Sequence, residues 1–127
     1  MAWVIDYHYL FAAEIVKMPE AVKIELLARA ERLAVLGPQA KRPLVDTLKG
    51  SKHANMKELW FDADGGVWRV AFEFDPRRHA LLLVAGDKSG VSGPEFYRKL
   101  IERADMRFDE HITALKQQRN RPKGRKR

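Results

Sequence analysis

The chain contains no cysteine, which removes disulfides, thiolate metal ligands and cysteine nucleophiles together and fits a cytoplasmic setting. It has no apolar run of the length that spans a membrane. The opening residues, Met-Ala-Trp-Val-Ile-Asp, lack the basic segment and long apolar stretch of an export signal, so a cytoplasmic location is expected. Histidine is sparse. His8, His53, His79 and His111 are scattered, with no pair at a ligand spacing such as HxxxH, and neither a metal nor another cofactor is expected. There is no internal repeat and no interdomain linker, and 127 residues support one domain with one modest core.

What is abundant is positive charge, and it is unevenly spread. Six of the seven net positive charges come from Arg119, Arg121, Lys123, Arg125, Lys126 and Arg127, leaving residues 1–118 with +1. The pI of about 9.9 therefore reports mainly the end of the chain. Residues 118–127 read as a disordered basic tail, held open by Pro122 and Gly124, after a domain over 1–117. The tail is either a non-specific phosphate-attracting arm or a solubilising end.

Periodicity divides the domain. Trp3 to Tyr7 is β-branched and aromatic, as an opening strand would be. Tyr9–Lys17 suits a first helix, and Pro19 begins a second in which Ile24, Leu27, Ala30, Leu33 and Ala34 recur at helical spacing until Gly37-Pro38. Residues 39–55 read as a long loop. Met56–Phe61 and Val67–Phe74 predict strands joined by a hairpin at Ala63-Asp64-Gly65-Gly66. In the second of these, Trp68, Val70, Phe72 and Phe74 share one face, and Val67, Arg69, Ala71 and Glu73 the other. Ala80–Ala85 has the continuous apolar run of a doubly covered strand. Phe96, Leu100, Ile101, Ala104, Phe108, Ile112 and Leu115 then mark a last amphipathic helix. The order β-α-α-β-β-β-α predicts an α+β fold, a largely antiparallel sheet with helices packed on one face.

Three blocks carry a resemblance: "LGPQAKRPLVDTLKGSKHANMKELW", "VWRVAFEFDPRRHALLLVAGDKSG" and "FYRKLIERADMRFDEH". In order and spacing, over roughly residues 1–115, they resemble the phage-derived HigB-type toxins of the RelE/ParE superfamily. The resemblance implies a RelE-like sheet with two N-terminal helices. It also implies the toxin of a type II toxin–antitoxin pair, a metal-independent endoribonuclease that cuts messenger RNA on translating ribosomes. The implied partners are a cognate antitoxin of helix-turn-helix type, messenger RNA, the ribosome, and operator DNA reached through the antitoxin. Fold alone does not secure this, because ParE-type relatives on the same scaffold inhibit DNA gyrase without cutting RNA. An inactive relative that only binds antitoxin or nucleic acid is the third reading.

Metal-free RNA cleavage needs a base near the 2′-hydroxyl, cations around the phosphorane charge, and a donor for the leaving 5′-oxygen. With Trp68, Val70 and Phe72 against helices, Arg69 projects from the opposite, open face. Trp68-Arg69 resembles the superfamily's aromatic–arginine pair, whose role is phosphate clamping; the alternative is a solvated arginine paired with Glu58 or Glu73. Lys88, after the apolar strand, stands where relatives carry a second catalytic cation, though Asp87-Lys88-Ser89-Gly90 is also good turn sequence. Tyr97 resembles the aromatic hydroxyl that relatives use to stack on a base or donate a proton, while Phe96 points to the core. Glu58, sharing the open face with Trp60 and Arg69, is the candidate base. Relatives also carry lysine at this strand, and Lys57 takes its place if the register slips by one. Lys49, Lys52, His53 and Lys57 are candidate RNA-backbone contacts, with a solvated basic loop as the alternative. His53 could instead supply acid–base chemistry.

Overall fold

Asp64 and Gly65 both take positive φ (52° and 74°), the turn conformation that matches strand twist, and fold β3 (Lys57–Ala63) back onto β4 (Gly66–Phe74). The structure, a computed structural model, describes residues 2–120. A second turn at residues 75–78 returns the chain as β5 (His79–Asp87), antiparallel to β4. The opening strand β1 (Val4–Tyr7) lies parallel to the first half of β5. A short strand β2 (Val45–Thr47) adds to the far edge of β3 and completes a five-stranded sheet in the order β1-β5-β4-β3-β2.

Helices α1 (Tyr9–Val16) and α2 (Glu20–Leu36) follow β1, and α3 (Gly93–Arg119) follows β5. The Ser92 side chain caps α3 by accepting from the Glu95 N–H, and Pro94 sits in its first turn, where a missing donor costs nothing. Phe11, Val22, Leu26 and Leu33 from α1 and α2 pack on Leu59, Phe61, Val70, Phe72, Ala80 and Leu82. Phe96, Leu100, Ala104 and Phe108 from α3 pack on Met56, Ala71, Leu81, Leu83 and Val84. These side chains leave the strands on opposite faces, so helices cover both sides of the sheet. The expectation of helices on one face is corrected here, and with it the open face opposite them. Period-2 alternation already turns Leu81 and Leu83 of β5 towards α3, and a bulge adds Val84 to them. Ala71 pairs with Val84 and Phe72 with Leu82, leaving Leu83 over, so that Leu83 and Val84 both turn towards α3. The buried Arg107 donates from Nη1 to the Leu83 carbonyl at 2.7 Å, satisfying that carbonyl.

Other differences are local. The buried stripe of α2 is Val22, Leu26, Ala30 and Leu33, whereas Ile24 and Leu27 stand 57% and 58% exposed. The helix carries two apolar stripes, and contact with the sheet decides which is buried. The expected long loop holds a 3-10 turn (Gly37–Gln39) and β2, a strand too short to show alternation. Helix α3 runs to Arg119, two residues into the expected tail, and residues 121–127 of that tail lie outside the described residues. No helix among the described residues is long and apolar enough to cross a membrane.

Candidate active site

Three of the side chains singled out from sequence meet where the first turn of α3 crosses β3 and β4. The Tyr97 hydroxyl donates to Glu58 Oε1 at 2.8 Å and accepts from Arg69 Nε at 3.1 Å. Arg69 Nε and Glu58 Oε1 are themselves 3.8 Å apart, and both side chains are largely buried, at 16% and 9% exposure. Glu58 and Arg69 are not directly opposed across the strands: Glu58 pairs with Ala71 and Arg69 with Trp60. The phenol bridges that diagonal. Arg69 is further held by Nη1 donating to the Trp68 carbonyl at 3.2 Å.

Lys88 comes to the same corner from β5, its backbone N–H donating to the Val67 carbonyl at 2.7 Å and its Nζ lying 5.6 Å from the Tyr97 ring centre. The helix start is brought close by Gly86. A Cβ there would lie 2.8 Å from the ring of Phe96, and Phe96 packs edge-on against Tyr97 at 5.2 Å between ring centres. Trp60 borders the group, with the Arg69 guanidinium 5.3 Å and the Arg42 guanidinium 5.5 Å from its ring.

The candidate RNA contacts fall elsewhere. His53 Nε2 and Lys52 Nζ lie 2.8 and 2.5 Å from the Asp109 carboxylate, and Ser51 donates to Asp105 at 2.5 Å. Asp105 and Asp109 are eight and twelve residues beyond Tyr97, about 12 and 18 Å down the helix axis. That segment is thus fastened to the middle of α3. The i, i+4 spacing of Asp105 and Asp109 on one helix face was the sequence signal for this. Lys49 is exposed. Lys57 points to the α1/α2 side of β3, away from Glu58, with its Nζ 3.5 Å from the Thr47 hydroxyl. Sequence reasoning gave no catalytic role to Trp60 and read Arg42, with Lys41 and Lys52, only as a target for an acidic segment of the antitoxin; the proximity of Trp60 and Arg42 depends on the path taken by residues 39–44.

Burial and the hydrogen bond to Glu58 push the Tyr97 hydroxyl above a phenol's ordinary value, against the opposing pull of Arg69. The phenol thus stands between the Glu58 carboxyl on one side and the Arg69 guanidinium on the other. Such a chain can pass a proton inward to Glu58 while the two cations face an anionic group outside it.

The sequence profile of the family described as phage-derived Gp49-like proteins matches residues 13–109. The chain is 42% identical over 103 residues to the candidate toxin HigB2 of Mycobacterium tuberculosis (strain ATCC 25618 / H37Rv), covering 80% of this chain and 50% of that protein. It is 39% identical over 82 residues to the candidate toxin HigB3 of the same organism, covering 65% of this chain and 69% of that one. The chain thus spans half the length of HigB2. The structure is similar to that of a double arginine-to-alanine mutant of the E. coli toxin RelE in the free state. The TM-score is 0.58, over 81% of this chain and 98% of that one, and at 14% identity the likeness is one of fold.

Proposed function

The chain belongs to the phage-derived Gp49-like protein family, and from that premise we propose that it is the toxin of a toxin–antitoxin pair acting as an endoribonuclease on messenger RNA. The observation that carries the reading is the Glu58–Tyr97–Arg69 hydrogen-bond chain with Lys88 beside it. A protein that only gripped another protein would have no use for a largely buried carboxylate and guanidinium joined through a phenol. Burying two charges is costly unless both are partnered.

The chemistry is a transesterification. The Tyr97 hydroxyl takes the proton of the RNA 2′-hydroxyl as it passes its own to Glu58. The 2′-oxygen bonds to the adjacent phosphorus, and the bond to the 5′-oxygen breaks. Arg69 and Lys88 stabilise the charge on the phosphorane oxygens, and the Lys88 ammonium protonates the departing 5′-oxygen. The products are a 2′,3′-cyclic phosphate and a 5′-hydroxyl, with atoms and protons balanced and no metal required. Translating ribosomes present the message as the single strand this geometry needs. An antitoxin with an acidic segment would silence the site, with Lys41 and Arg42 as its exposed contacts; Lys52, a third candidate, is held by Asp109.

The test is induction without an antitoxin, with 5′ ends of messages mapped for the parent chain and for an Arg69→Ala/Lys88→Ala variant at equal abundance. New ends bearing 5′-hydroxyls that vanish in the variant are expected. Growth arrest with intact messages and inhibited supercoiling would put gyrase in place of RNA.

A further inference from the structure

The arrangement around Tyr97 leaves that residue poorly suited to hold a base. Its hydroxyl is engaged twice, its ring meets Phe96 edge-on at 5.2 Å, and Lys88 Nζ lies 5.6 Å from its centre. Trp60 is different. It lies two residues from Glu58 on the same face of β3, about 7 Å along the strand, a span one nucleotide can bridge. Its indole is only partly buried. It is flanked by two guanidiniums of unequal freedom. Arg69, at 5.3 Å, is tied into the catalytic chain, whereas Arg42, at 5.5 Å, is 72% exposed and its ion pair with Asp46 is long, at 3.9 Å. The indole Nε1–H is buried without an acceptor among the described residues, so no hydrogen bond of that group fixes the ring, which is held by its packing and the flanking guanidiniums. A fixed aromatic face between a held cation and a displaceable one is a stacking site for a planar ring attached to phosphate.

We propose that Trp60 is the platform on which a nucleobase beside the scissile phosphate stacks, with Arg42 swinging over the outer side of that base. The inference rests on the nuclease reading and assigns to Trp60 the base-holding part of the site, leaving Tyr97 to proton transfer. Stacking on an indole tolerates any base, so Trp60 contributes affinity and register rather than sequence choice. Arg42 adds charge to the same grip without being required for it.

The experiment uses the full chain and two probes: a single-stranded RNA oligomer with 2′-fluoro riboses, which cannot cyclise, and an abasic ribose–phosphate oligomer of equal length and charge. Binding is followed by tryptophan fluorescence, with Trp60→Phe identifying the contribution of Trp60 over Trp3 and Trp68. The expected result is quenching of the Trp60 signal by the base-bearing oligomer only. Trp60→Ala weakens its binding roughly 10-fold or more, Trp60→Phe retains most of it, and neither changes binding of the abasic oligomer. Circular dichroism of each variant shows that a loss is not unfolding. Equal binding of the base-bearing oligomer by the parent and Trp60→Ala would overturn the inference while leaving the nuclease reading intact, as would equal quenching by both probes. A folded parent chain that bound neither oligomer at millimolar concentration would overturn both.

Discussion

The two faces of one sheet differ in kind. Towards α1 and α2 the strands present Leu59, Phe61, Val70, Phe72 and Leu82, buried among Phe11, Val22, Leu26 and Leu33. Towards α3 the same strands present Glu58, Arg69 and Glu73, and α3 answers with Tyr97 and the buried Arg107. Neighbouring residues such as Glu58 and Leu59, Arg69 and Val70, or Phe72 and Glu73 belong to different worlds because a strand turns alternate side chains to opposite sides. The lesson is a division of labour along a two-residue period: one face is apolar beneath α1 and α2, while the other mixes an apolar cluster under α3 with polar burial and so can host chemistry.

That contrast can be broken most strongly from the apolar side. Phe72→Ala should cost about 3–5 kcal/mol, seen as a lower midpoint in denaturant unfolding, and should lower activity only through loss of folded protein. From the polar side, Arg69→Ala should reduce RNA cleavage by about 100–1000-fold in a single-turnover assay while its unfolding midpoint moves far less than that of Phe72→Ala. If both variants lost stability alike, the division between the faces would fail. Tyr97→Phe keeps the ring and removes the bridge; cleavage should fall about 100-fold and stability by about 1 kcal/mol.

A smaller effect sharpens the comparison through pH. Burial pushes the Glu73 carboxyl above its ordinary value, and its Oε1 has no hydrogen-bond partner among the described residues. An acid whose folded value is raised opposes folding once the pH passes its unfolded value, and the penalty is complete above the folded one. Glu73→Gln should therefore stabilise the protein at neutral pH by roughly 1 kcal/mol, with the advantage shrinking as the pH falls through that window. Parallel stability–pH curves for the two chains would show that Glu73 carries no such penalty.

Much of this fold was legible because its signals are local. The Asp64-Gly65 turn, the alternation of β4 and the break at Gly37-Pro38 each depend on a few adjacent residues. The nearness of Glu58 and Arg69 was legible too, since a tight hairpin fixes cross-strand neighbours. What depended on distant partners was not. The side on which α3 lies is settled by its packing on Met56, Ala71, Leu81, Leu83 and Val84, and the bulge at Leu83 sits in an apolar run where no residue marks an irregularity. Arg107 lies outside the apolar stripe of α3, yet it reaches across to the Leu83 carbonyl and pairs with Glu14 through Nη2 at 2.6 Å. Lys52 and His53 were legible as basic, but their engagement by Asp109 depends on a contact 56 residues away for His53.

Gly86 is a residue with nothing to offer a substrate, yet it fixes how near the start of α3 can come, because the Phe96 ring occupies the space a methyl group would need. A survey of all substitutions at every position, scored once for folded abundance and once for activity, would give this glycine an unusual signature. Side chains there would shift Phe96 and carry Tyr97 with it, so the activity score would collapse at sizes the abundance score still tolerates. A position defined by emptiness would then be indistinguishable, by activity alone, from one that carries a reacting group.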